Sequence, residues 1–573
     1  MKRIKIIIPV FLILFCMSCK KNILDISPQD KIPETAVWGD PALIKAYHTE
    51  LYNSEVHGFY VMMYAKYTDE TYNSVACCGA DLFKLNTYTP TNVAALGGGN
   101  DFWSTSNGYM YYWNRGYKYI RKINVFLTKM QEVTVDLPEK VQMIAEAKFL
   151  RAFIYFNLIE RFGGVPIVDQ VYELGDEVAY KRNSFDECVT FIAKDLAEAI
   201  PDLPNRYPST DANYGRATAD ACRALLSRTY LYAASALFNP SHDQQKWQKA
   251  ADAAAALLNS GYTLYPDYQK LFEMSQGDAQ DEVIFARGFT SSNGHNAPMN
   301  NLNRRFEANG GWWGSQGPSG NLVDDYDMKN GEPPFLSDGT INLLSGYDPQ
   351  HPFWNRDPRL DASIIHDSSV FRPDLVPTHP TFEMWISEDG SSWGYDSYKN
   401  TGDNPRTNTV MKKFMPENGS INWATPSTIQ WPFFRLAEIY LNYAEAKFAL
   451  GDEATAREYV NKVRHRASVN LPDIPSSVTG EALRRRIYNE RRIELAFESH
   501  RFFDVRRWGI ATTVENAKIY TYDIFKNLTT GAKRYQKVTL LDKSGTFPAY
   551  KSLLPIAQDE LQRNPELVQN PGW

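Results

Sequence analysis

Apolar residues recur at spacings of three and four along several long stretches of the chain, and this periodicity predicts a mainly helical protein. Pro41–Leu51 has Asp40 as an N-cap and proline at its first helical position. The stretch 103–130 places Trp113, Tyr117, Ile120, Ile123 and Leu127 on one face. Over 141–162, Ala145, Phe149, Ala152, Phe153 and Phe156 build a broad apolar stripe. Gly163-Gly164 ends that helix and Pro166 prevents its continuation. Further along, 214–234 turns Ala221, Ala224, Leu225 and Tyr232 inward. Its partner 247–258 offers Ala250, Ala251, Ala254 and Leu257 for close approach. A second pair, 435–450 and 455–467, turns at Gly451-Asp452.

Pairs that alternate small and large residues resemble tetratricopeptide units, which stack into a solenoid with a continuous core. Between the two pairs the composition changes. Over 275–432 Gly, Pro, Asn and Ser punctuate the chain and helical periodicity fades, which predicts a loop-rich insertion. The predicted fold class is therefore mainly α, a tetratricopeptide-like helix-pair scaffold with an irregular domain inserted.

The densest mixture of charge and aromatics is 489–509, reading NERRIELAFESHRFFDVRRWG. It begins inside a helix whose first turn carries Glu481. Glu490, Glu494 and Glu498 recur every four residues, which predicts that they share one helical face. Arg486, Arg491, Arg492 and Arg501 lie within about a turn of them. Buried charges need partners, so the stretch is read as an ion-pair network clamping the last helices to the core, not as an active site.

Across 573 residues the formal charge is only −6 and basic residues are scattered among acids, so no basic stripe points to nucleic acid. Aromatic content is high: 34 Tyr, 30 Phe and 13 Trp. Six cysteines in a chain this long do not make a disulfide framework. Cys188 and Cys222 fall on helical patterns as buried thiols. Cys77 and Cys78 are adjacent in a loop-like stretch that lacks the companion ligands of a metal site. At the N-terminus, Lys2, Arg3 and Lys5 precede an apolar run over 6–15, too short to span a bilayer, which reads as a secretory signal. Cys16-Met17-Ser18-Cys19 follows and resembles a bacterial lipoprotein cleavage site. Cys19 would then be the lipidated first residue, although Cys16 stands where leucine is usual.

Five strings carry a further resemblance: 489–509 itself, EAKFLRAFIYFNLIERFGGVPI over 146–167, YGRATADACRALLSRTYLYAA over 214–234, Arg356-Asp357-Pro358-Arg359, and the closing Leu554-Pro555-Ile556 with QNPGW at 569–573. The tether adds Leu24-Asp25 and Pro28. Together they resemble the SusD/RagB family of nutrient-binding outer-membrane lipoproteins. The resemblance implies non-catalytic capture of an oligosaccharide and delivery to a SusC-like TonB-dependent transporter, with no cofactor. Peptide binding, or a mainly structural lid gating the transporter, are the alternatives it leaves open. It also implies a division of the chain: signal peptide 1–18, lipidated tether 19–39, helical scaffold 40–274 with ligand loops at about 55–105, ligand-binding insertion 275–432, and closing scaffold 433–573.

No H-E-x-x-H, G-x-S-x-G or G-x-x-x-x-G-K occurs. Asp324, Asp325 and Asp327 resemble part of a calcium loop, but Gly331 is misplaced for it. The positive signal is tryptophan in loops. Trp103 follows Gly97-Gly98-Gly99, and Trp312-Trp313 sits between Gly310-Gly311 and Gly314, so the rings are expected to be presented outward. A flat apolar ring with one N–H suits the C–H face and polar edge of a sugar. The resemblance places ligand loops in these two regions. The candidate ligand residues are Trp103, Trp312 and Trp313, with Tyr72, Asn100, Asp101 and Asn309 as polar neighbours.

Overall fold

Local signals set the first helices. A computed structural model describes residues 34–59, 63–72, 80–96, 110–172, 180–309 and 313–573. Helix α1 is Pro41–Leu51, capped by Asp40, whose carboxylate accepts from the Ala42 N–H at 2.8 Å. Helix α2 runs over Trp113–Glu132. It starts later than the apolar pattern suggests, and the residues just before it are tied to other segments. Tyr111 N–H donates to Leu96 O at 3.2 Å and Tyr112 Oη to Ser54 O at 2.8 Å. Helix α3, Lys140–Phe162, is buried along nearly its whole length.

Gly163 closes α3 with φ +74°, a left-handed conformation that glycine adopts without steric penalty. The following Gly164 has a different reason: a Cβ there would lie 2.1 Å from Asn183 O. Gly164→Ala is therefore expected to lose about 1–3 kcal/mol of stability by forcing the 183–185 backbone outward. Urea denaturation measures this, and an unchanged midpoint would show that the backbone yields freely.

Helix α4, Phe185–Ala199, begins with a capping box between Ser184 and Glu187. Helices α5, Ala219–Ala234, and α6, Gln244–Ala255, form the first small/large pair. Each packs on its neighbour in chain order from α2 to α6. Cys188 on α4 and Cys222 on α5 are buried free thiols, as their helical positions predict.

The loop-rich segment departs along strand β2, Val283–Arg287. From it the structure builds helix α7, Ala297–Asn301, strand β3, Gly317–Pro318, helix α8, Gly320–Asp325, and helix α9, Pro358–Ser363. Strands β4, Ile364–His366, β5, Ile386–Ser387, and β6, Thr409–Met411, follow, and the segment returns along β7, Trp431–Arg435. Strands β2 and β7 pair antiparallel, so the ends of the excursion are zipped together.

Helix α10, Leu436–Ala449, and helix α11, Glu453–Arg464, form the second small/large pair. Helix α10 packs on α5 and α6, which makes the helical array continuous across the excursion. Arg228 of α5 clamps this junction. It donates to both Glu438 oxygens of α10 at 2.6 Å, and its guanidinium sits 4.2 Å from the Phe434 ring. After helix α12, Gly480–Glu494, and helix α13, Arg501–Arg507, the chain forms a hairpin of β8, Ile519–Lys526, and β9, Lys533–Leu541, with β5 parallel to β8.

The charged stretch is indeed a buried network, but Glu498 is not on the helix of Glu490 and Glu494. Helix α12 ends at Glu494, and Phe497 (φ +64°) and Ser499 (φ +72°) reverse the chain. The turn carries Glu498 back beside Glu494, where both accept from Arg435 at 2.7 Å. Arg359 of α9 donates to Glu490 at 2.6 Å and Glu494 at 2.9 Å. Arg466 donates to Glu282 at 2.5 Å and Glu494 at 2.6 Å. Most of the cations come from outside 489–509, so the network ties the excursion to the helices.

Candidate functional site

Strand β1, Thr71–Tyr72, lies within the first predicted ligand region and carries the candidate Tyr72. It pairs antiparallel with β3, Thr71 opposite Pro318 and Tyr72 opposite Gly317. Two segments almost 250 residues apart in sequence are thus neighbours, and Tyr72 lies across from the strand that follows Trp313. Trp103, Asn100, Asp101, Trp312 and the lipidation candidate Cys19 lie outside the described residues. Asn309 ends a 3₁₀ turn, Arg304–Asn309, on the approach to Trp313.

The base of β1 is rigidly held. Asp69 accepts from Arg501 at 2.9 and 2.8 Å and pairs with Arg492 at 3.0 Å. Burial alone would raise the Asp69 pKa, but Arg492 and Arg501 outweigh it and hold the carboxyl well below the usual range. Ser319 crosses back, donating its N–H to Glu70 O at 2.8 Å and its hydroxyl to Asp69 O at 2.5 Å. Glu70 accepts from the strained Phe497 N–H at 3.1 Å, and burial pushes its carboxyl up to about 7. The β1–β3 pair therefore grows directly out of the central ion network. Tyr72 is half-buried, with the Lys84 ammonium 5.4 Å from its ring centre. Burial lowers the Lys84 pKa to about 7.

On the other side, Gly314 N–H donates to Leu302 O at 3.0 Å and Ser315 N–H to Asn300 O at 3.1 Å, fixing the Trp313 loop to α7. Trp313 is half-buried and engaged by neighbours, so it is less outward than its flanking glycines suggest. Gly314, the described glycine of that group, serves close packing instead, as does Gly317 in β3. A Cβ on Gly314 would meet Pro405 at 2.7 Å, and one on Gly317 would meet Thr407 at 2.2 Å.

Sequence reasoning missed two features here. Arg304 pairs with Glu307 and with Asp403 at 3.3 Å, placing exposed charge beside the Trp313 loop. Gln316 is fully buried between Trp313 and Tyr72's partner Gly317, and among the described residues neither end of its amide finds a hydrogen-bond partner. Such a group demands water or ligand. Its position three residues after Trp313 was the available signal.

The remaining tryptophans divide. Trp431 is core, 5.1 Å from Phe59 between ring centres and in close contact with Gly58. Trp354, Trp393 and Trp423 are exposed, and Trp354 stacks on His351 at 3.7 Å. The calcium-like acids are used by other donors. Asp324 accepts from Tyr520 at 2.7 Å, Tyr522 at 2.5 Å and Lys537 at 2.9 Å, Asp325 pairs with Arg492, and Asp327 accepts from Arg464 and Arg486 at 2.9 Å. Among the described residues no cluster of three His, Cys, Asp or Glu is placed to hold a metal ion.

A family model described as the SusD family matches residues 281–573, just over half of the chain. The chain belongs to the SusD family. A second model, described as "Starch-binding associating with outer membrane", matches residues 23–231 of this SusD-family protein. A SusD-like protein of Formosa agariphila is 23% identical, with the alignment covering 100% of this chain and 98% of that one. A crystal structure of a SusD-like protein from Bacteroides fragilis superposes with a TM-score of 0.74 at 26% identity, covering 96% of this chain and 100% of that one. A SusD-like carbohydrate binding protein, also from Bacteroides fragilis, gives a TM-score of 0.72 at 27% identity over 93% of this chain and 100% of that one. The mainly α fold expected from sequence is the family's fold.

Proposed function

We propose that this SusD-family protein captures an oligosaccharide at the outer membrane without cleaving it and hands it to a SusC-like TonB-dependent transporter. The observation that carries the reading is the β1–β3 pair, which joins the Tyr72 and Trp313 segments in a family whose relatives include a carbohydrate binding protein. Trp103, Trp312 and Trp313 supply stacking faces, Tyr72 a fourth ring, and Asn100, Asp101 and Asn309 hydrogen bonds to hydroxyls. The lipid on Cys19 anchors the protein in the outer membrane with its body at the cell surface, beyond the tether 19–39. The ligand loops at about 55–105 and the 275–432 segment form the binding domain, and the helical array faces the transporter.

Calorimetric titration of the mature protein, beginning at Cys19, with maltohexaose and laminarihexaose tests the reading. Trp313→Ala and Trp103→Ala are each expected to weaken binding about tenfold, the loss of one stacking face, with the fold retained. Retained affinity in both variants would place the site elsewhere. Binding of peptides in place of sugars would make the protein a peptide-capturing relative, and chromatographic detection of shortened sugars after incubation would overturn the non-catalytic reading.

A further inference from the structure

A second groove lies away from these loops, between α2, the extended segment 166–172 and the chain's last turns, with a volume of about 510 Å³. None of its lining residues belongs to β1, β3 or the Trp313 loop. We propose that it is a second saccharide site, taking two or three residues of a neutral oligosaccharide.

The floor and walls are aromatic and preset. The Trp113 ring stands edge-on to Phe162 at 5.2 Å and lies 5.1 Å from Tyr117. Tyr117 Oη donates to Pro166 O at 2.8 Å, which locks its ring. Tyr172 accepts at its hydroxyl from Gln170 at 2.7 Å and meets Tyr180 edge-on at 5.4 Å. Rings held this way lose little freedom when a ligand stacks on them. The volume falls in the range of small-molecule sites and the lining mixes rings with a few polar groups.

The polar rim selects the class. Glu560 neutralises Arg563 at 2.8 Å, and Arg121 keeps its charge at the exposed edge but spends a donor on Tyr172 O at 2.6 Å, so the rim carries a single net charge. Exposed Asn114 and Gln170 add neutral amides suited to hydroxyls. An extended peptide would need a free strand edge. Here that edge is already used: Ile167 N–H donates to Asn183, Val168 N–H to Tyr155, and the Val168 and Gln170 carbonyls accept from Asn124. Sugar rings ask for no such edge.

The mature protein carrying Trp313→Ala, which weakens the loop region, is titrated with maltohexaose and laminarihexaose. A binding event is expected to remain with at least one of them. Adding Tyr172→Ala, or Asn114→Ala with Gln170→Ala at exposed positions, is expected to weaken that event about fivefold or abolish it, at unchanged melting temperature. Absence of any remaining event, or one indifferent to both groove variants, overturns the proposal. So does competition by hexapeptides at equal concentration. If Trp313→Ala leaves total binding unaltered while the groove variants remove it, the loop reading fails and the groove stands.

Discussion

Glu494→Ala is expected to cost about 3–5 kcal/mol of stability, the scale seen when one partner is removed from a buried ion cluster. The carboxylate accepts from Arg435 at 2.7 Å, Arg466 at 2.6 Å and Arg359 at 2.9 Å, and all four side chains are almost wholly inaccessible. Alanine leaves three buried guanidinium groups sharing Glu282, Glu490, Glu498 and Asp357. Glu494→Gln keeps an acceptor without the charge and is expected to fall between alanine and wild type. Burial would push the Glu494 pKa up, but Arg466, Arg435 and Arg359 together hold it well below the carboxylate range. A depressed folded pKa contributes stability above the unfolded value, and this is lost as pH falls toward the folded one. The deficit of the alanine variant should therefore be full at pH 7 and shrink below about pH 4. Urea denaturation at both pH values measures it. A loss under about 1 kcal/mol at pH 7 would mean that the charges rehydrate easily.

The same residues show why part of the fold is legible in sequence and part is not. The Asp40-Pro41 cap and the Gly163 stop were readable because each acts within a turn of itself. Glu490 and Glu494 were readable as a pair for the same reason. Glu498 was not, since its place depends on two residues held at positive φ by contacts from elsewhere, including Phe497 N–H on Glu70. The guanidinium partners come from Arg359, Arg435 and Arg466, which no periodicity links to Glu494. Of the candidate site, loop tryptophans stood out by composition, and family likeness put Tyr72 and Trp313 in play together. A strand pair two residues long leaves no alternation to read, so their adjacency came only from the fold. The aromatic groove is less legible still: Trp113 and Tyr117 fit a helical stripe, and Leu567 and Asn564 reach them from the far end of the chain.

Glu55→Gln is expected to stabilise the protein at pH 8.5 by on the order of 3 kcal/mol, while changing it little at pH 4. Glu55 is buried at the end of the turn that follows α1. Its Oε1 accepts from Ser54 at 3.2 Å, and among the described residues Oε2 has no hydrogen-bond partner. Burial pushes its carboxyl up to about 8, against the pull of Ser54, Arg115 and Arg161. A raised folded pKa gives stability that is full below the unfolded value of about 4.5 and is lost as pH climbs through the folded one. The wild type should thus weaken between about pH 4.5 and 8, where the unfolded chain ionises Glu55 and the folded chain must keep it protonated. Glu70 and Glu160, each raised to about 7 chiefly by burial, slope the same way, so the wild-type profile alone cannot assign the effect. The difference between Glu55→Gln and wild type isolates it, because the other two groups are common to both. Denaturation midpoints from pH 4 to 8.5 should diverge steadily in favour of the variant. Parallel profiles would mean that Glu55 ionises inside the fold with help from Arg115 and Arg161, making the pair a buried ion contact rather than a protonated acid.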